Sequence, residues 1–272
     1  MRRWAWHSMG SVASLAVPWH PADAMPEGVA STLDGVHLWL DEVEDALSPF
    51  RSDSDLCRWR SGRRSLCDCS PLLGEVVEAV RDLPARTDGG FNPYDRGGRF
   101  DPTGYVKGWA IERAVGLLSD AGIMDACLGV GGDIQMIGCA DTDRPWRVAA
   151  TDPADPGRIL AVIEAPADGS RFSVATSGMA QRGEHIWSGL DLHRGSAISR
   201  DAGSALAAVT VAGPNLSIAD SFATAIWALA TDHPLDEAWQ WLAGTGYEAL
   251  AIGAEGWVRR TPGMGQFLVL AA

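Results

Sequence analysis

No apolar stretch of the sequence approaches the roughly 20 residues that a helix needs to cross a bilayer. The longest, "SVASLAVP" and "AIWALA", stop well short. The start, Met1-Arg2-Arg3-Trp4, leads into Trp, His and Gly rather than a signal-type apolar run with a cleavage site, so the expected location is cytoplasmic. Basic clusters are also missing. Lysine and arginine are interspersed among 35 acidic residues, the net charge is −13, and a nucleic-acid footprint, which neutralises phosphates with grouped cations, is excluded. Cysteine is scarce and odd in number. Cys57, Cys67, Cys69, Cys127 and Cys139 make no paired framework, so reduced thiols are expected. Cys67 and Cys69 would supply two ligands of the four that a zinc site needs, with no second Cys or His pair at suitable spacing. Repeats, low-complexity tracts and long linkers are absent too.

What is present is ample material for a core. Hydrophobic residues make up 46% of 272, and a single compact unit over residues 1–272 is expected. Residues 9–17 alternate as a first strand. Residues 26–47 carry Val36, Leu40, Val43 and Leu47 on one helical face, residues 71–83 predict a second helix, and residues 105–122 a third that stops at Gly122. "ACLGVGGDIQMIG" predicts a strand pair, "WRVAATDP", "RILAVIEAP" and "FSVATSG" further strands, and "ALAAVTVAGP" an apolar one. "IADSFATAIWALA" and residues 234–244 predict helices, and "YEALAIGAEGWVRRT" a hairpin around Glu255-Gly256. Strands and helices mix without regular alternation, which gives an α+β class with mixed sheets and packed helices. The glycines at 129, 131 and 132 lack the spacing of a dinucleotide fingerprint and open no helix, so they serve close backbone approach or turns.

Two places concentrate chemistry. In "RFDPTGYVKGWAIERA", Asp101-Pro102-Thr103-Gly104 is turn-forming and leads straight into helical periodicity, with Lys107-Gly108 at the junction. In "ADSFATAIWALA", Asp220 and Thr224 stand four apart, so both oxygens leave one face of a helix about a turn apart. Such a pair can hold a hard cation. On the residues alone an N-capping Asp and a Thr bonded back to its own helix is the commoner arrangement, and both readings stay open. Magnesium takes oxygen ligands, so one Asp, one Thr and a carbonyl from the 101–104 turn would suffice, with Lys107 one turn on to meet a phosphate.

Taken in order, "SMGSVASL", "LSPFRSDSDLCRW", "TDGGFNPYDRGGRFDPTGYVKGWAIERA", "CLGVGGDIQMIG", "ATSGMAQRGEHI" and "ADSFATAIWALA" resemble the ApbE-type FAD:protein FMN transferases, from Met9 to about residue 257. The resemblance implies an α+β fold that binds FAD and Mg²⁺, transfers FMN to a Ser or Thr hydroxyl of an acceptor protein carrying a flavinylation motif, and releases AMP. It implies metal ligation by the Gly104 carbonyl, Asp220 and Thr224. It places Asp101 and Lys107 at the flavin nucleotide, Met9, Phe50 and Phe91 near the flavin or adenine, and His185-Ile186 at the start of the family segment H-I-x-D-P-x-T-G. Catalytic roles then fall to Lys107, Asp220 and His185, the last as a base for the acceptor hydroxyl. The chain departs from the pattern after His185-Ile186, where "WSGLDLHRG" stands for Asp-Pro-x-Thr-Gly. It departs also at Asn92, where an acid is usual, and at Arg60, where relatives place Asn. A magnesium-dependent FAD hydrolase and a flavin-binding protein without transfer chemistry are the alternatives these departures leave.

Overall fold

A computed structural model describes residues 1–19, 28–95, 97–155, 157–178 and 206–269. The first strand expected from the sequence is the second half of a hairpin: β1 (Arg2–Ser8) pairs antiparallel with β2 (Ser11–Val17). Met9 and Gly10 form the two-residue turn, with φ of 51° and 69°. Positive φ at both loop positions gives the turn a twist that matches the strands it joins. Met9 is therefore a hairpin tip rather than a strand residue. Its amide donates to Glu44 Oε2 at 2.7 Å, which ties the tip to the following helix.

That helix, α1 (Val29–Leu47), buries Val36, Leu40 and Val43 completely. Next come α2 (Asp55–Arg60), α3 (Pro71–Ala79) and α4 (Leu83–Arg86). The helix expected over 71–83 thus ends early, and a new short one starts at Leu83 with Pro84 as its second residue, as proline is tolerated in a first turn. Helix α5 (Thr103–Asp120) begins two residues earlier than expected and gives way to Gly122 at φ 83°. Strands β3 (Ala126–Val130), β4 (Asp133–Ile137), β5 (Arg147–Thr151), β6 (Ile159–Glu164), β7 (Phe172–Gly178) and β8 (Leu206–Gly213) lead to α6 (Leu216–Leu229). The chain closes with α7 (Leu235–Ala238), β9 (Glu248–Gly253), β10 (Val258–Arg260) and β11 (Leu268–Val269).

Among the described residues, eight strands form one sheet in the order β1-β2-β3-β4-β7-β8-β9-β10, and three form a second in the order β11-β6-β5. Every pairing is antiparallel. The central strands are covered on both faces, which is why they read as nearly continuous apolar runs rather than alternating ones. In β8, Val209 and Val211 join the core beneath the helices while Ala208 and Ala212 join a second core against the small sheet. Ala249 and Ala251 divide from Leu250 and Ile252 in β9 the same way. Helices α5 and α6 lie side by side over the sheet, and their contact builds the site.

Candidate functional site

The approach to α5 is organised by one carboxylate. Asp95 accepts from the amides of Gly97 (2.8 Å) and Arg99 (3.0 Å) and pairs with Arg99 (2.7 Å) and, at 3.6 Å, with Arg60. Burial pushes its carboxyl upward, but the Arg99 and Gly97 hydrogen bonds outweigh it and hold the group below the usual aspartate range. The loop returns through a Tyr94–Phe100 bridge, and the Asp101 amide donates to the Pro93 carbonyl at 2.8 Å. Asp101 Oδ1 then accepts from the Thr103 amide at 3.3 Å at the very start of the helix. Arg60 is thereby an anchor of the loop that delivers Asp101.

Two glycines let α5 meet α6 closely. A Cβ on Gly108 would lie 2.6 Å from the Leu216 carbonyl oxygen and 2.8 Å from Ser217 Cα, distances that only a hydrogen there permits. A Cβ on Gly104 would lie 2.7 Å from Thr224 Oγ1. A glycine follows Lys107 because the helices approach backbone to backbone at that point. Gly104 is the second residue of α5 rather than part of a turn, so the carbonyl in question is a helical one. Ser221 Oγ donates to it at 3.1 Å. The Gly108 amide points back at that same carbonyl, as the amide four residues on does in any α-helix. It also donates to Asp220 Oδ2 at 3.4 Å. Carbonyl, carboxylate and the Thr224 hydroxyl are thus gathered at one contact, joined from β7 by Ser177 Oγ, 3.3 Å from Thr224 Oγ1.

The capping alternative for Asp220 does not survive. Helix α6 begins at Leu216 with Asn215 in the cap position, so Asp220 lies inside the helix, only 5% exposed. The α5–α6 junction is held instead by Glu112, whose Oε2 accepts from Ser217 Oγ at 2.8 Å. Burial pushes the Glu112 carboxyl above the usual glutamate range.

Lys107 Nζ pairs with Asp133 Oδ2 at 2.6 Å. Asp133 is fully buried at the start of β4, and its Oδ1 accepts from the Thr176 amide at 3.0 Å. Lys107 also lines a cleft of about 620 Å³ together with Met9, Phe50, Arg51 and Asp101, within the size range of small-molecule and cofactor sites. Phe50 is 78% exposed at its rim, and Arg51 is held there by Asp45 and Asp53. Four of the residues nominated from sequence therefore share one cavity. Phe91 is not among those that line it; at 2% exposure it packs against Gly104, its amide donating to Thr87 Oγ1 at 3.0 Å. His185 and Ile186 lie outside the described residues. Asp133, Ser177, Ser221 and Glu44 escaped the sequence reading. Only Asp133 left a signal, as the acid that follows the Gly131-Gly132 pair.

Among the described residues no three His, Cys, Asp or Glu side chains gather as a metal cluster. The oxygen set at the α5–α6 contact has a single carboxylate, completed by a hydroxyl and a carbonyl. That donor chemistry fits a hard cation that keeps several waters and shares phosphate oxygens, and does not fit zinc. Among the described residues no helix is long and apolar enough to cross a membrane.

Known proteins resemble this chain in sequence and in fold. The chain is 32% identical over 147 residues to a Rhodobacter capsulatus FAD:protein FMN transferase, an alignment covering 54% of this chain and 24% of the relative. It is 26% identical over 220 residues to a Vibrio cholerae FAD:protein FMN transferase, covering 63% of this chain and 64% of that one. The chain thus spans about a quarter of the first relative and less than two thirds of the second. In fold it is similar to the flavin transferase ApbE from Vibrio cholerae, with a TM-score of 0.74 at 19% identity over 98% of this chain and 99% of that one. It is similar likewise to an ApbE protein from Thermotoga maritima, with a TM-score of 0.76 at 15% identity over 99% of each chain. The ApbE family model matches residues 94–250, which span the Asp95 loop, both glycines, Lys107, Asp133, Asp220 and Thr224. On that match, over more than half of its length, the chain belongs to the ApbE family.

Proposed function

We propose that the chain transfers the FMN half of FAD to a Ser or Thr hydroxyl of an acceptor protein and releases AMP. The observation that carries the reading is the meeting of the Gly104 carbonyl, Asp220 carboxylate and Thr224 hydroxyl beside Lys107, at a helix that also lines the 620 Å³ cleft. The naming of the two sequence relatives as FAD:protein FMN transferases supports it.

In this reading Gly104, Asp220 and Thr224 would hold Mg²⁺, which would supply positive charge to offset that of the phosphates. The ring system of FAD lies along Met9 and the exposed face of Phe50, since a flat apolar ring needs apolar surface. Lys107 donates to a phosphate oxygen, and Asp101, fixed by its loop, orients the nucleotide. The acceptor oxygen bonds to the FMN-side phosphorus as the bond to the bridging oxygen breaks. That oxygen leaves with AMP, and His185 takes the hydroxyl proton.

Incubation with FAD, Mg²⁺ and acceptor peptides tests the proposal. A covalent FMN mass increment on the peptide with equimolar AMP is the expected result. Free FMN and AMP without an adduct would replace transfer by hydrolysis, and tight FAD binding with no AMP would replace both by a binding role.

A further inference from the structure

The sequence holds 22 lysines and arginines, of which 21 are arginine, so Lys107 is its only lysine. In a chain that otherwise uses guanidinium for every cation, the single ammonium lies on the cleft wall and is paired with a carboxylate that no solvent reaches. The two groups differ in kind. A guanidinium is a rigid fork, whereas an ammonium is a compact charge with three donors on a flexible four-carbon stem. A stem of that kind samples many rotamers unless something holds its end.

We propose that Asp133 is the positioning residue of the site: it fixes the Lys107 ammonium for the diphosphate without itself touching substrate. The inference rests on the function proposed above for Lys107. Asp133 is suited to the task because both its backbone and one of its carboxylate oxygens are held by neighbouring strands. It begins β4 directly after the Gly131-Gly132 turn and pairs with Val130 across to β3, while its Oδ1 is occupied by the Thr176 amide of β7. Its Oδ2 is left to take Lys107 Nζ at 2.6 Å. The ion pair holds the ammonium at the end of a side chain that also lines the cleft. A buried carboxylate in turn needs such a partner, because an uncompensated charge in a desolvated position is strongly unfavourable.

The pair is neutral as a whole, so what Asp133 contributes is direction rather than charge. This separates the role from simple attraction. In Asp133→Asn the shape is kept and Lys107 loses its counter-charge, so attraction of the anionic diphosphate does not fall. The KM for FAD is therefore expected to stay level or drop, while kcat falls about 10- to 100-fold, the usual range when the group that orients a contact residue is removed.

Because only one lysine is present, protein labelled with nitrogen-15 lysine gives a single side-chain ammonium signal, read without assignment. In the wild type this signal is expected to show slow proton exchange from pairing and shielding, and to shift on FAD addition. In Asp133→Asn it should broaden into fast exchange. The wild-type measurement stands even where the variant does not fold: an ammonium that exchanges like a free lysine, or ignores FAD, overturns the inference. An unchanged kcat in a folded Asp133→Asn protein, or a raised KM at constant kcat, overturns it also. Wild-type protein with the slow signal but neither FAD binding nor FMN transfer would defeat the proposed function, and would reduce the pair to a structural ion pair.

Discussion

Substituting Gly108 by alanine tests the close approach on which the site depends. The added Cβ would stand 2.6 Å from the Leu216 carbonyl oxygen and 2.7 Å from its carbon, where ordinary contact begins at 3.4 Å. About 0.8 Å must be found, and both sides of the contact are main chain, so no side chain can swing aside. Overpacking of this kind costs about 1–3 kcal/mol, with a backbone clash at the upper end. Alanine returns up to about 1 kcal/mol of helix propensity over glycine. The balance is roughly 2 kcal/mol of destabilisation, or a melting temperature about 3–4 °C lower for a chain of this length. Gly116 in the same helix is the control. A Cβ there meets nothing within 4 Å, so Gly116→Ala gains the propensity term alone and should raise Tm by about 2 °C. The two variants are compared by thermal denaturation and by AMP release at a temperature where both are folded. Gly108→Ala should also lose activity out of proportion to its stability, because separating α5 from α6 pulls the Gly104 carbonyl away from Asp220 and Thr224. Equal or higher Tm for Gly108→Ala than for Gly116→Ala would refute the reasoning, as would full activity at the folding-competent temperature.

Asp220→Ala should cut Mg²⁺-dependent FMN transfer by about 10²-fold or more with the fold retained, since it removes the one carboxylate that would hold the cation, whose charge is worth several kcal/mol to the transition state; circular dichroism showing an unfolded chain would make Asp220 structural instead. Glu112 gives a pH signature. Its carboxyl is raised in the fold by burial, so the folded state prefers the protonated form, and stability contributed by this group is lost as pH climbs from the ordinary glutamate value of 4.5 through the raised one. Glu112→Gln keeps an acceptor for Ser217 and titrates nothing, so urea midpoints of variant and wild type should diverge in the variant's favour as pH rises from 4 to 7, and parallel curves would refute the shift. His185→Asn should slow transfer by about 10²- to 10⁴-fold with little change in FAD affinity, and equal rates would remove this histidine from the proton transfer.

Local chemistry was enough to reveal most elements. Helix α1 was legible because Val36, Leu40 and Val43 recur on one face, and β8 and β9 because buried strands read as apolar runs. Turn chemistry was harder to place. Asp101-Pro102-Thr103-Gly104 reads as a turn, yet Thr103 and Gly104 already belong to α5, whose first turn leaves backbone donors, one of which the Asp101 side chain satisfies. Strand β1 was hidden because one face of an edge strand is solvated, and its Arg, Trp and His residues carry no apolar run.

At the site, the sequence alone determined the types and spacings: Asp220 and Thr224 on one helical face, Lys107 one turn beyond Asp101-Gly104, and the motif order that resembles the flavin transferases. Only the tertiary structure decided what those spacings mean. Asp220 reads as a cap until the helix is seen to begin at Leu216, and Gly108 carries no message until Leu216 is found where its side chain would be. Asp133 meets Lys107 from 26 residues along the chain, on a strand under the helix rather than on the helix itself. Periodicity reports only on neighbours a few residues apart. Contacts between elements are set by how closely backbones can pack, and that is a property of the assembled fold.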